Sequence, residues 1–161
     1  MSSSSRAKLL GLSNLQIDRH FEGNVFYGGC VSKDELKDIS PNNKFWIINM
    51  EDSTAPDGTH WVLVFDCVIP DDNPDYTIYM DPYGVYPPPE IVKFMNKSDK
   101  EIQYTTDTYQ DIDSINCGNY CIYVAEEILN STPYHELFEK RLTEHNVPAN
   151  EKLMNQLKLR Q

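Results

Sequence analysis

The sequence predicts an α+β fold with a mixed, mostly antiparallel sheet, because its strand patterns come largely before its helical patterns. The clearest strand pattern is residues 60–67 (HWVLVFDC), a short and almost wholly apolar run typical of a central strand. The clearest helical pattern is residues 117–129 (CGNYCIYVAEEIL). With 161 residues, 40% of them hydrophobic, the chain is expected to form one domain over residues 1–161, with residues 1–8 disordered.

The N-terminal part of the chain has weaker patterns. Apolar positions in residues 7–17 are spaced for a short helix, and the glycine-containing residues 21–29 are expected to be irregular. Ser32 followed by Glu35 is the pattern of a capping box, which predicts a short helix over residues 33–39.

The rest of the chain alternates between strand and helix patterns. Proline-containing polar segments at residues 51–59 and 70–75 predict turns on either side of the central strand. The further predicted strands are residues 45–50, 76–80 and 102–105, and the further predicted helices are residues 90–95, a helix that starts at residues 132–133, and residues 148–159.

Charge and cysteine content exclude several functions. A net charge of −11 argues against a nucleic-acid-binding surface, which needs clustered Lys and Arg. No segment approaches the ~20 apolar residues of a membrane span, and no apolar stretch typical of a secretion signal follows the N-terminal serines. We therefore expect a protein that is not secreted and has free thiols rather than disulfides.

No metal or other cofactor is expected. Cys117 and Cys121 are four residues apart, which places them on one helical face and leaves zinc as a weak alternative. The other two cysteines, Cys30 and Cys67, are isolated in the sequence, and no pair of histidines lies at the spacing of metal ligands.

Cys117 is the candidate nucleophile, because it opens the predicted helix. The free N–H groups and the dipole at a helix N-terminus favour the thiolate, which is the reactive form. A buried structural cysteine is the alternative, and Cys121 fits that role better. His60 begins the central strand directly after a loop, where it could hold Cys117 as a thiolate–imidazolium pair. Taken alone, His60 could also be an ordinary surface or core histidine.

Two further side chains complete the set that a thiol protease needs. Asp81 follows the next strand, and antiparallel pairing would bring it beside His60, where it could orient the imidazole. The alternative is a turn aspartate before Pro82. Gln110, seven residues before Cys117, could donate its side-chain N–H to the oxyanion together with the backbone N–H of Cys117; the alternative is an ordinary loop glutamine. Together the four predict hydrolysis of peptide or isopeptide bonds.

These motifs resemble those of the adenovirus-type maturation proteases, which share a clan with the SUMO-removing proteases. Four features are similar: the order of His, acid, Gln and Cys, the His-Trp pair, the acid-Pro-aromatic-Gly turn, and the spacing from Gln to Cys. The resemblance covers roughly residues 20–130, and maturation proteases of virophages and Maverick-type (Polinton) elements would be a close match. The motifs are His60-Trp61, Asp81-Pro82-Tyr83-Gly84, Gln110 and Cys117-Gly118, with a Gly29-Cys30-Val31-Ser32 segment upstream.

The resemblance implies a papain-like cysteine protease fold in circularly permuted order, with helices flanking the sheet and the nucleophile at a helix N-terminus. The implied roles are base for His60, its partner for Asp81, oxyanion donor for Gln110 and nucleophile for Cys117. Trp61 would wall a narrow substrate groove, and Gly118 would leave room for the substrate backbone. The implied activity is cleavage of capsid precursors at Gly-containing sites during virion maturation, in the virion and the host cytoplasm or virus factory.

The chain departs from the adenovirus enzyme in three respects. The acid is Asp81 rather than Glu, the C-terminus is shorter, and the chain is acidic, whereas the adenovirus enzyme is basic and is activated on DNA with a peptide cofactor. Activation by DNA is therefore not expected here, and the need for a peptide activator stays open.

Two other functions also stay open. One is deconjugation of a ubiquitin-like (SUMO-type) modifier, which a probe ending in Gly-Gly would reveal. The other is a catalytically inactive binding module on the same fold, which would be indicated if the Cys117 thiol were no more reactive than Cys30 or Cys67.

Overall fold

The computed structural model describes residues 11–53, 60–68 and 73–158. The disorder predicted for residues 1–8 and the first part of the helix predicted over residues 7–17 lie outside these residues. The strands are β1 (Tyr27–Ser32), β2 (Phe45–Asn49), β3 (Trp61–Phe65), β4 (Tyr76–Met80) and β5 (Glu101–Tyr104). The helices are α1 (Asn14–His20), α2 (Pro89–Met95), α3 (Cys117–Leu129), α4 (Tyr134–Glu136), which continues as a π-helical turn (Leu137–Arg141), and α5 (Val147–Lys158); 3-10 turns form at Lys33–Asp38 and Glu144–Asn146.

The five strands form one mixed sheet whose spatial order follows the chain order. β1 and β2 pair in parallel, β2 and β3 antiparallel, β3 and β4 antiparallel, and β4 and β5 in parallel. The α+β class with a mixed sheet is therefore confirmed. Two of the four pairings are parallel, so the sheet is less antiparallel than predicted.

β1 corrects the prediction that residues 21–29 are irregular throughout. A Cβ atom on Gly28 would lie 2.3 Å from Cε2 of Trp46, so the glycine leaves room for the indole ring of β2. The indole Nε1 donates a hydrogen bond to the carbonyl of Pro41 at 3.0 Å. The first half of β1 is therefore stabilised by packing against Trp46 of β2, and its own sequence lacks the alternating apolar pattern of a strand.

The sheet is buried on both faces, which explains why its central strands are apolar throughout. Alternate residues of β2, β3 and β4 face two separate cores. One core packs against α3, and the other packs against α2 and the Lys33–Asp38 turn. The first includes Phe45, Ile47, Leu63, Phe65, Ile78, Met80, Tyr120, Cys121 and Val124, and the second includes Trp46, Ile48, Val62, Val64, Tyr79, Ile91, Phe94 and Leu36.

Two predicted element boundaries matter for the site. α3 begins at Cys117, as predicted. β3 is shorter than predicted and begins at Trp61, so His60 lies immediately before the strand. At the N-terminal side, α1 begins at Asn14 because Ser13 and Gln16 form a capping box there, and Leu12 is therefore outside the helix.

Candidate active site

His60 and Asp81 meet because β3 and β4 are antiparallel neighbours. The start of β3 lies beside the end of β4 in this pairing, and the two residues stand at those two ends. His60 Nε2 is 2.8 Å from Asp81 Oδ1. The Asp81 side chain is only 2% exposed and that of His60 is 18% exposed. The geometry is that of an imidazole held by a buried carboxylate.

The turn after β4 orients the carboxylate of Asp81. The backbone N–H of Tyr83 donates to Asp81 Oδ1 at 2.8 Å, and the N–H of Gly84 donates to the Asp81 carbonyl at 2.8 Å. Gly84 has a φ of +73°, and a Cβ atom there would lie 2.6 Å from the carbonyl oxygen of Thr106. Glycine is therefore required in this turn, which agrees with the prediction that Gly84 shapes it.

The surroundings of His60 favour the imidazolium. Burial lowers the pKa of His60, but hydrogen bonds to Asp81 and Cys117, and the negative charges of both groups, raise it to about 9. The thiol of Cys117 therefore lies within interaction distance of the imidazole. A histidine charged at neutral pH beside a thiol is the arrangement that stabilises a thiolate.

Cys117 is the first residue of α3 and is 6% exposed. Asn116 stands at the N-cap, but its side chain makes no capping hydrogen bond. Its Nδ2 donates instead to Glu151 Oε1 at 3.4 Å and to Asn155 Oδ1 at 3.2 Å, both on α5. The N–H groups of the first helical turn are thus not capped by this side chain, which suits a negative charge on Cys117.

Gln110 lies in the loop that leads into α3 and is 1% exposed. Its backbone N–H donates to the Pro82 carbonyl at 3.1 Å, which ties this loop to the turn after Asp81. Its Nε2 donates to the Ser114 carbonyl at 3.0 Å, and its Oε1 is buried with no hydrogen-bond partner. A side-chain amide carries two donor hydrogens, so one N–H of Gln110 is not used by the bond to Ser114.

Trp61 and Gly118 pack directly against each other. A Cβ atom on Gly118 would lie 3.2 Å from Cδ1 of Trp61 and 3.3 Å from Cβ of Leu12. Trp61 Nε1 donates to the Leu12 carbonyl at 2.9 Å. The space left by the missing side chain of Gly118 is therefore occupied by Trp61 and Leu12 of the protein itself, and the role of Gly118 towards a substrate stays a prediction.

Three residues at the site were not among the predicted site residues. The ring of Tyr83 stacks on His60, and only the Asp-Pro-Tyr-Gly motif pointed towards it. Leu12 contacts Trp61, which is 49 residues away in the sequence, and Glu151 contacts Asn116, which is 35 residues away. No local sequence pattern predicts contacts between residues that are so far apart in the chain.

Disulfides, metal-binding groups and membrane-spanning helices are absent from the part of the chain that the structure describes. All four cysteines are free thiols. Across residues 11–53, 60–68 and 73–158, no three His, Cys, Asp or Glu side chains are grouped as a metal ion would require. Over the same residues, no helix combines the length and the apolar character needed to cross a membrane.

Among solved structures, the fold is similar to the crystal structure of the ASFV pS273R protease, with a TM-score of 0.63 and 16% sequence identity over 86% of this chain and 65% of that chain. A crystal structure of the Se-Met ASFV pS273R protease matches with a TM-score of 0.45 and 19% identity over 64% of this chain and 41% of that chain. No protein-family model matches the sequence, and no curated protein matches it significantly. The chain thus has the fold of a protease of which it spans 65% of the length.

Proposed function

We propose that the chain is a viral cysteine endopeptidase with Cys117 as nucleophile, His60 as acid and base, Asp81 as orienting acid and Gln110 as oxyanion donor. The observation that carries the proposal is the 2.8 Å contact of the His60 imidazole with the buried carboxylate of Asp81. Cys117, at the start of α3, is among the groups that raise the pKa of His60. The fold shared with the ASFV pS273R protease supports the proposal.

The proposed reaction has two halves. The Cys117 thiolate attacks the scissile carbonyl carbon, and the oxyanion is stabilised by the Gln110 side-chain N–H and the Cys117 backbone N–H. The His60 imidazolium gives its proton to the leaving amine as the C–N bond breaks, which leaves a thioester on Cys117. Water then gives a proton to His60 as its oxygen attacks the thioester carbonyl carbon. The C–S bond breaks, the carboxylic acid product departs, and the Cys117 thiolate and His60 imidazolium are restored.

The proposed substrates are capsid or other structural precursors, cleaved at Gly-containing sites during virion maturation in the virion and host cytoplasm. The resemblance of the motifs to those of viral maturation proteases supports this substrate class. We further propose that neither DNA nor a metal ion is needed, since the chain is strongly acidic and thiol chemistry needs no metal.

Incubation with candidate precursor proteins, followed by mass spectrometry of the products, tests the proposal. Cys117→Ala should abolish cleavage, whereas Cys121→Ala, one helical turn further and buried in the core, should retain it. Cleavage that persists in a folded Cys117→Ala protein would contradict the proposal. If a ubiquitin-like probe ending in Gly-Gly labels Cys117 while the precursors stay intact, the substrate is a modifier conjugate instead.

A further inference from the structure

We propose that Glu151, on the C-terminal helix α5, is a positioning residue that holds Cys117 in line with His60. The inference rests on the proposed role of Cys117 as nucleophile. Glu151 contacts neither His60 nor Cys117 by hydrogen bond. It acts through the residues on either side of the nucleophile.

The carboxylate of Glu151 joins two points of the turn that carries Cys117. Its Oε1 accepts from Asn116 Nδ2 at 3.4 Å, and its Oε2 accepts from the Tyr120 hydroxyl at 2.5 Å. Asn116 directly precedes Cys117, and Tyr120 is three residues after it. Two anchors on one helical turn resist both rotation and sliding of that turn, and they therefore fix the direction of the Cys117 side chain.

The same helix also holds the segment of the proposed oxyanion donor. The Tyr109 carbonyl accepts from Asn150 Nδ2 at 3.1 Å and also lies 3.1 Å from the Tyr120 hydroxyl oxygen, whose one hydrogen it shares with Glu151. Tyr109 directly precedes Gln110 and is 1% exposed. Neighbouring residues of α5 thus tie together the two chain segments that would have to be aligned in the reaction.

A carboxylate suits this place better than an amide. Both oxygens of an ionised carboxylate accept hydrogen bonds, whereas a glutamine has one acceptor oxygen, and its NH₂ group could bond Tyr120 only by donating to the hydroxyl oxygen. Burial, followed by the bond to Glu151, raises the pKa of Tyr120, so its hydroxyl keeps its proton well above neutral pH. Replacing Glu151 by Gln would therefore turn two charge-assisted bonds into weaker neutral ones and reverse the bond to Tyr120, while keeping the side-chain volume.

A later residue of α5 also contacts the turn that carries Cys117, because Asn155 Oδ1 accepts from Asn116 Nδ2 at 3.2 Å. Burial lowers the pKa of Lys158, and the negative charges of Glu151 and Cys117 oppose this change. A displaced helix would release Asn116 from both Glu151 and Asn155 and would change the charges around the thiol as well as its direction.

The experiment compares Glu151→Gln with Lys152→Gln, a change of an exposed charge on the same helix. The rate of iodoacetamide alkylation of each cysteine is measured across pH by mass spectrometry, and kcat and KM are measured on a cleaved precursor. We expect Glu151→Gln to slow alkylation of Cys117 about tenfold, shift its pH profile and lower kcat with little change in KM, because small misplacements of reacting groups cost on the order of tenfold to a hundredfold. Lys152→Gln should behave as wild type.

Thermal unfolding followed by circular dichroism checks that Glu151→Gln is folded. If it is not, Tyr120→Phe, which removes one anchor and keeps the buried ring, is measured in the same way. A folded variant whose alkylation rate and pH profile match wild type would overturn the positioning role. Alkylation needs no substrate, so a failed search for precursors leaves this test intact. If wild-type Cys117 reacts no faster than Cys30, the proposed function falls and the positioning role with it.

Discussion

The ring of Tyr83 lies on the imidazole of His60, with centroids 4.8 Å apart and ring planes inclined by 24°. The backbone N–H of the same residue donates to Asp81 Oδ1. One turn residue therefore packs against the proposed base through its side chain and orients the proposed acid through its main chain.

The stacked ring should matter for activity while its hydroxyl should not. Tyr83→Ala exposes one face of His60 and allows the imidazole to turn away from Cys117, so we expect kcat/KM to fall about tenfold or more. Tyr83→Phe loses only the 3.3 Å bond to the Ile112 carbonyl and should remain near wild type. Steady-state cleavage assays check this, and equal losses in both variants would rule out a role for stacking.

Removal of the Asp81 charge should lower the pKa of His60. The bond to Asp81 is among the interactions that raise this pKa to about 9, against the lowering effect of burial. In Asp81→Asn the pKa should therefore fall, and activity should be reduced but not abolished because the acid orients rather than reacts. NMR titration of the imidazole gives the pKa directly. An unchanged pKa and rate would mean that another group orients His60.

The free energy of unfolding should depend on pH through His60. Its pKa rises from an ordinary 6.5 to about 9 on folding, so its stabilising contribution is fully present below pH 6.5 and is lost as pH rises through about 9. The size is up to about 3 kcal/mol. Urea unfolding in reductant, compared with His60→Gln, should show the difference between the two proteins shrink over this range. Stability curves that run parallel would contradict the expectation.

Loss of the Gln110 amide should affect the chemical step alone. Gln110→Ala removes an oxyanion donor, which typically costs on the order of a hundredfold or more in kcat, whereas alkylation of Cys117 should stay close to wild type because thiolate formation needs no oxyanion. Gln103→Ala, on the exposed strand β5, is the matched control. A folded Gln110→Ala protein with wild-type kcat would remove Gln110 from the mechanism.

Long apolar runs made the central elements predictable. The predicted strands at residues 45–50, 60–67 and 76–80 contain the mostly buried strands β2, β3 and β4. Antiparallel pairing of β3 and β4 was enough to predict that His60 and Asp81 lie close together. β1 was harder to predict from the sequence, because its glycines do not form a strand pattern. Their role depends on the Trp46 ring of the neighbouring strand, which packs against them. The contacts of Leu12 and Glu151 depend on how segments that are distant in the sequence pack together. The spacing of apolar residues within one segment does not predict such packing.

Leu12 and Asn155 lie near opposite ends of the described chain, yet both reach the turn that carries Cys117: Leu12 beside Gly118, and Asn155 through Asn116. Loss of either segment by proteolysis would therefore loosen the turn that carries the nucleophile. Mass spectrometry of the purified protein would show whether both segments are intact. A lower rate in clipped protein would then report on the alignment of Cys117, because neither segment contains a proposed catalytic side chain.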